Sequence, residues 1–206
     1  MKEGVTQKAG ESADRLARAI VAIDAVNALD PNRVEYAGTA RPKELLHSER
    51  ASHWLEVFEP QASEALRLAV RAHHLRRWAL PRAEYPAGRA GYHAWRRELQ
   101  DRHAREAGEL VAAVGYDEAT VERVGELIRK RARDSEAQVF EDVLCLVFVE
   151  MQLESFAATH ESEQVVEILA RTLPKMSARA IELAASLSSS PVTDSLIARA
   201  VARAGR

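Results

Sequence analysis

The chain has 206 residues, 47% of them apolar and 5% aromatic, with 29 basic against 31 acidic side chains and a formal net charge of −2. That length suits one domain with a full core, and so balanced a charge gives no global field to recruit nucleic acid or an anionic membrane. The single cysteine, Cys145, excludes a disulfide scaffold. Reduced thiol chemistry, a polar N-terminus without an apolar signal core, and a longest apolar run of only Val143–Val149 together predict a soluble, cytoplasmic protein.

Ala, Leu, Glu and Arg dominate while Gly and Pro are few, a composition that favours helix throughout. Residues 1–10 carry no periodic signal and are expected to be disordered; residues 11–206 are expected to form a single all-α bundle of eight to nine helices. Glu11–Leu29 sets Leu16, Ile20, Ile23 and Val26 on one stripe. Asp30-Pro31-Asn32 is turn chemistry, and Val34–Thr39 is the only segment that reads as a short strand. Pro42 fits the first turn of a second helix bearing Leu45, Leu46, Trp54, Leu55 and Phe58, with His47 beside the stripe. A third helix starts near Ser63 and runs into Arg71-Ala72-His73-His74-Leu75-Arg76-Arg77-Trp78, where packing gives way to charge.

Pro81 forces the chain out, and Arg82–Gly91 reads as a loop holding Arg89 before a long helix from Tyr92 to Val114. Trp95, Leu99, His103, Ala107 and Leu110 recur at steps of three or four, which places His103 on the core-facing stripe. Gly115 stops that helix and Asp117 caps the next, which ends in Lys130, Arg131 and Arg133. Ser135–Phe140 reads as a connection, and Glu141-Asp142 as the first turn of a helix apolar on nearly every side, with Cys145 buried in it. Three shorter helices complete the chain, over Ser162–Leu173, Pro174–Leu187 and a last one capped by Thr193 after Ser188-Ser189-Ser190.

No Gly-rich phosphate loop, Cys-x-x-Cys pair or His-Glu-x-x-His helix is present. What remains is a set of histidines and a carboxylate at comparable places on successive core helices: His47, His74 or its neighbour His73, His103 and Asp142. A helical bundle can gather such residues in its interior, and imidazole with carboxylate suits Zn, Mn, Fe or Ni better than Ca or Mg. Nine arginines against three acids between Arg71 and Arg105 make a local basic surface. Arg76, Arg77, Arg89 and Arg96, flanked by Trp78 and Tyr92, are the candidates to hold an anionic substrate through guanidinium forks. Because neighbours on a helix point about 100° apart, one of Arg76 and Arg77 is expected to face the site. Lys130, Glu141 and Asp142 are the candidate catalytic residues, Lys130 for charge stabilisation.

The order of a His, a His pair closing an apolar helix, a later His and a carboxylate on an apolar helix resembles the HD superfamily of all-helical metal-dependent phosphohydrolases. His103-Ala-Arg-Glu-Ala-Gly-Glu-Leu resembles its later-His helix, and Glu141-Asp-Val-Leu-Cys-Leu its closing acidic helix. The superfamily's adjacent His-Asp pair is missing here: Leu75 follows His74, and His74 follows His73. More closely, the chain resembles a domain-of-unknown-function family, number 4202. That likeness runs through Asp30-Pro-Asn-Arg, Arg41-Pro-Lys-Glu-Leu-Leu-His-Ser, His74-Leu-Arg-Arg-Trp, Gly88-Arg-Ala-Gly-Tyr and Glu141-Asp-Val-Leu-Cys-Leu-Val-Phe. The resemblance implies a divalent transition metal held by His47, His74, His103 and Asp142, and hydrolysis of a phosphorylated or otherwise anionic small molecule or nucleotide. Two other readings remain open: a non-catalytic helical module for an anionic metabolite or RNA phosphate, and an iron-dependent oxygenase. A homodimer is compatible with all three.

Overall fold

The computed structural model describes residues 2–187 and 190–205, with side chains described from residue 11 onward. The architecture is all-α, with ten α-helices and one two-stranded hairpin among the described residues. The chain falls into two compact units, residues 1–52 with 61–132 and residues 53–60 with 133–206.

The first unit opens with α1, Lys2–Asn27. Its helical backbone extends through residues 2–10, which were expected to be disordered for want of an apolar stripe; once a turn exists, adding residues to it needs no apolar face. Ala19, Ile23 and Asn27 form its buried row, four residues apart. The predicted short strand is a hairpin, β1 Arg33–Tyr36 paired antiparallel with β2 Thr39–Pro42, in register Arg33 to Pro42 and Tyr36 to Thr39. Its two-residue turn holds Ala37 and Gly38 at φ 50° and 76°, the doubly left-handed geometry that suits a tight hairpin. Pro42 therefore ends a strand rather than opening a helix, and α2 runs Lys43–Phe58.

Helix α3, Glu64–Ala72, starts at the expected place, where Ser63 accepts a hydrogen bond from Leu66 N–H. It stops at Ala72 rather than carrying on through the histidines: His73 to Arg76 form a turn, Arg76 is left-handed at φ 51°, and Arg77–Ala79 make a single 3-10 turn. Helix α4 runs Gly88–Ala113, four residues earlier than its stripe suggests. Gly91 lies inside it and must stay glycine, since a Cβ there would sit 1.9 Å from the Pro86 carbonyl oxygen. Helix α5, Glu118–Ile128, is capped by Asp117 as expected and packs on α3 and α4. Arg71 ties this unit together, paired at 2.6 Å through both Nε and Nη2 to Asp24 of α1 and bonded at 3.2 Å to Ser52 of α2.

The second unit contains the end of α2 and the helices α6 Ser135–Met151, α7 Leu153–Thr159, α8 Ser162–Thr172, α9 Ala178–Ser186 and α10 Pro191–Ala204. Its core joins Leu153, Val165, Val166, Leu169, Leu196, Ile197 and Ala200. Helix α6 starts at Ser135, because Asp134 accepts from Ala137 N–H and caps it there, so the supposed connection 135–140 is helical. Glu141 and Asp142 thus lie two turns inside α6 rather than in its first turn. Phe140, Asp142, Val143, Leu146 and Val147 of the helix are buried, its other residues from Val139 to Met151 are half-buried, and Cys145 is among the half-buried ones rather than sealed in the core. At α10 the cap is Ser190, with Thr193 returning a bond to its backbone in a capping box; residues 188 and 189 of the serine run lie outside the described residues.

Candidate metal centre

The site is built from the first turns of α2 and the abrupt end of α3. Asp30, buried in the turn before the hairpin, accepts from Glu44 N–H at 2.9 Å through Oδ2, satisfying one of the donors a helix start leaves unpaired. Its other oxygen accepts from the backbone and side chain of Asn32 at 2.9 Å each. This sets the orientation of α2, whose Glu44 and His47 lie three residues apart on one buried face. Because α3 ends at Ala72, His73 and His74 follow a turn instead of a helix, and their rings lie side by side with centroids 4.2 Å apart. His47 stacks on His74 at 4.5 Å and lies 5.0 Å from His73. One nitrogen from each of the three rings falls within a group no more than 4.8 Å across.

Hydrogen bonds assign the ring nitrogens. His73 Nδ1 lies 2.7 Å from the Val70 carbonyl oxygen, so it donates there and leaves the lone pair on Nε2. His74 Nδ1 lies 3.0 Å from Glu44 Oε2. His103, on the buried stripe of α4 as its spacing predicts, hydrogen-bonds to the His73 backbone, and its ring centroid is 6.1 Å from that of His74. His47 Nδ1 and His103 Nε2 are buried without a hydrogen-bond partner among the described residues. Buried polar atoms are seldom left so, and the open nitrogen of His47, a member of the three-ring group, fits a bound cation.

Electrostatics keep the cluster uncharged. Burial, then the nearby Arg77 and Lys43 charges, pushes His47 down to about 3. Burial, then Arg77, does the same to His103, which also falls to about 3. Burial, then the other histidines, holds His73 and His74 well below the usual imidazole value, with Lys130 adding to the effect at His73. Burial lifts the Glu44 carboxyl to about 7 against the pull of Arg77 and Lys43. Glu44 and His74 are both driven from their charged forms, so their contact is a hydrogen bond to a neutral imidazole rather than an ion pair. Neutral imidazole is the ligating form.

A family model for a domain of unknown function, DUF4202, matches residues 17–197. The chain belongs to that family. The match spans the whole histidine cluster, α6 and the arginines around the end of α3, so the DUF4202 domain comprises nearly all of both units. No curated protein and no solved structure matches the chain. No helix among the described residues is long and apolar enough to cross a membrane.

The other predicted site residues of the DUF4202 domain lie on several different elements. Arg77 is half-buried, its guanidinium 4.9 Å over the Trp95 ring, while Arg76 is exposed and donates its backbone N–H to Asn27 Oδ1 at 3.4 Å. Of the two, Arg77 is the one whose charge reaches His47, His74 and His103, and Arg96 acts on both Arg77 and His103. Trp78 is half-buried in the 3-10 turn. Arg89 and Tyr92 lie exposed at the start of α4, each against His93. Lys130 holds a left-handed backbone, φ 58°, at the end of α5. Glu141 and Asp142 belong to the second unit. There Asp142 Oδ1 accepts from Ser177 N–H at 2.8 Å and Gln138 Nε2 at 3.1 Å, while Oδ2 is buried without a hydrogen-bond partner among the described residues. Both members of the histidine pair join the group, where sequence reasoning chose between them. Glu44 was missed, although an acid three residues before a histidine on one helix face is a pattern used in metal-binding bundles.

Proposed function

We propose that this DUF4202 domain is a metal-dependent hydrolase acting on a phosphorylated or otherwise anionic small molecule or nucleotide. The observation that carries this reading is the convergence of three neutral imidazoles, His47, His73 and His74, from two separate elements. The nitrogen-rich donor set favours Zn, Fe, Ni or Mn over Ca or Mg. A divalent ion there would supply Lewis acidity toward water and toward a phosphoryl oxygen. Arg77, desolvated and braced on Trp95, provides a fixed guanidinium for the anionic group of the substrate, and Arg96 adds positive charge beside it. His103, held neutral with Nε2 buried, places a further imidazole beside His74. The order of these histidines along the chain resembles that of the HD phosphohydrolases, which supports hydrolysis over other metal chemistry.

Metal analysis of protein purified without chelator or a nickel column, followed by a phosphate-ester panel on the metal-loaded protein, tests the reading. Stoichiometric metal that His47→Ala and His74→Ala remove, with turnover that falls in parallel, is the expected result. Absence of metal together with a silent panel would overturn it. The three-residue group contains no carboxylate, which favours as second reading a module that binds an anion without turnover; Arg77→Ala would then abolish binding while the panel stays silent. Iron in aerobically purified protein would point instead to an oxygenase.

A further inference from the structure

We propose that Glu44 is a positioning residue, which fixes His74 in the tautomer bearing its proton on Nδ1 and so turns Nε2 toward His47 and His73. The carboxylate is placed for this on both sides. Its own backbone N–H is held by Asp30 Oδ2 at 2.9 Å, and Asp30 is in turn braced by Asn32, so the first turn of α2 cannot swing freely. Its side chain is buried, 4% exposed, and Oε2 reaches His74 Nδ1 at 3.0 Å. A buried carboxylate with no task at this spot would be an expensive occupant, since a leucine would fill the space without the cost of desolvation. His73 receives the same treatment from a different acceptor, the Val70 carbonyl oxygen at 2.7 Å. Both members of the histidine pair thus have Nδ1 engaged, and with the Glu44 carboxyl ionised both would carry the lone pair on Nε2. Outer partners of this kind hold ring orientation and raise ligand basicity in metal sites generally.

The tautomer arm stands alone, and only the affinity arm rests on the metal reading above. Histidine ¹⁵N NMR of the metal-free full chain, at about pH 8.5 where the carboxyl is ionised, reads the first. The wild type should show His74 protonated on Nδ1, Glu44→Gln should keep that tautomer because its amide oxygen still accepts, and Glu44→Ala should shift it toward Nε2. Titration with Co(II) reads the second: Glu44→Ala should bind it about 10–100-fold more weakly with an altered visible spectrum, and Glu44→Gln should fall between. A purely structural Glu44 would lower the melting temperature and leave tautomer and spectrum unchanged. Finding the His74 proton on Nε2 in the wild type, or an unchanged tautomer in Glu44→Ala, overturns the proposal. Should Glu44→Ala fail to fold, the wild-type tautomer decides. Should the wild type bind no Co(II), the metal reading fails while the tautomer result still settles the role of Glu44.

Discussion

Each unit buries an acid on a helix, and the two acids live differently. In the second unit, Asp142 Oδ1 takes two donors, Gln138 on its own helix and the Ser177 backbone that opens α9. In the first unit, Glu44 makes one bond to one imidazole, inside a group that also buries His47, His73 and His103. The same contrast runs through the cores. Around Leu153, Val165 and Ile197 packing is apolar and the polar Thr193 serves its own helix cap. Around the end of α3, several polar side chains share a dry space and are kept uncharged by it. Desolvating that many groups costs stability, so the first unit carries a burden that packing alone does not explain.

The largest effect should come from removing a ligand. His47→Ala and His74→Ala should each lower metal affinity by more than the roughly 100-fold that loss of an outer partner costs, as measured by competition against a chromophoric chelator, while far-ultraviolet circular dichroism stays helical. Unchanged affinity in both would make the cluster a packing device and erase the contrast between the units.

The next effect is on the pH dependence of metal-free protein. Unfolded histidines take up protons below about 6.5, whereas folded His47 and His103 stay neutral down to about 3, and His73 and His74 are likewise depressed. The unfolded state therefore binds more protons, and stability is intact above about 6.5 and falls as pH drops below it. Glu44 works the other way, since its folded value of about 7 lets the native state hold a proton between about 4.5 and 7, but it is one group against four. Urea melts should lose several kcal/mol between about pH 7 and pH 5.5. Equal midpoints at both values would mean the imidazoles are not buried neutral. In the second unit, Asp142→Ala should cost about 1–3 kcal/mol by leaving the Ser177 N–H short of an acceptor, read as a lower urea midpoint. Metal content measured on the same variant shows whether its second oxygen has a further task.

Much of this was legible in the sequence where a local signal has one reading. Asp117 reads as a cap because a short polar side chain before an apolar row has few other uses there, Ser63 marks only the approximate start of α3, and spacing alone places His103 on a buried stripe. The histidine pair reads as a choice of one ligand because the likeness of His74-Leu-Arg-Arg-Trp to the family favours His74, and the sequence does not show where the helix stops. On a helix, adjacent rings diverge; only the stop at Ala72 lets His73 and His74 share one space, and no Gly or Pro marks that stop. Glu44 was hidden because an acid in a first turn already has an explanation in the helix dipole. Asp142 was misplaced within its helix because the buried row of α6 begins only at Phe140, six residues after its true cap, Asp134.

The smallest effect is the most discriminating. Three described non-glycine residues have left-handed backbones, Ala37, Arg76 and Lys130, and the last two both follow the histidine pair, one directly after it and one at the end of α5. Lys130 follows α5 at the position where glycine usually ends a helix: Lys130 N–H bonds Leu127 O at 3.0 Å and Arg131 N–H bonds Glu126 O at 2.9 Å, the paired bonds of that ending. A lysine there strains the backbone, and its charge acts on His73. Lys130→Gly should therefore raise stability by about 1 kcal/mol, as Ala37→Gly should in the hairpin. The two should part company in function. Lys130→Gly should weaken binding of inorganic phosphate by the metal-loaded protein, measured calorimetrically, while Ala37→Gly leaves it unchanged. If both variants only stabilise, Lys130 is a helix terminator of the ordinary kind; if Lys130→Gly stabilises and loses phosphate together, the strain at the end of α5 is kept for the sake of the side chain.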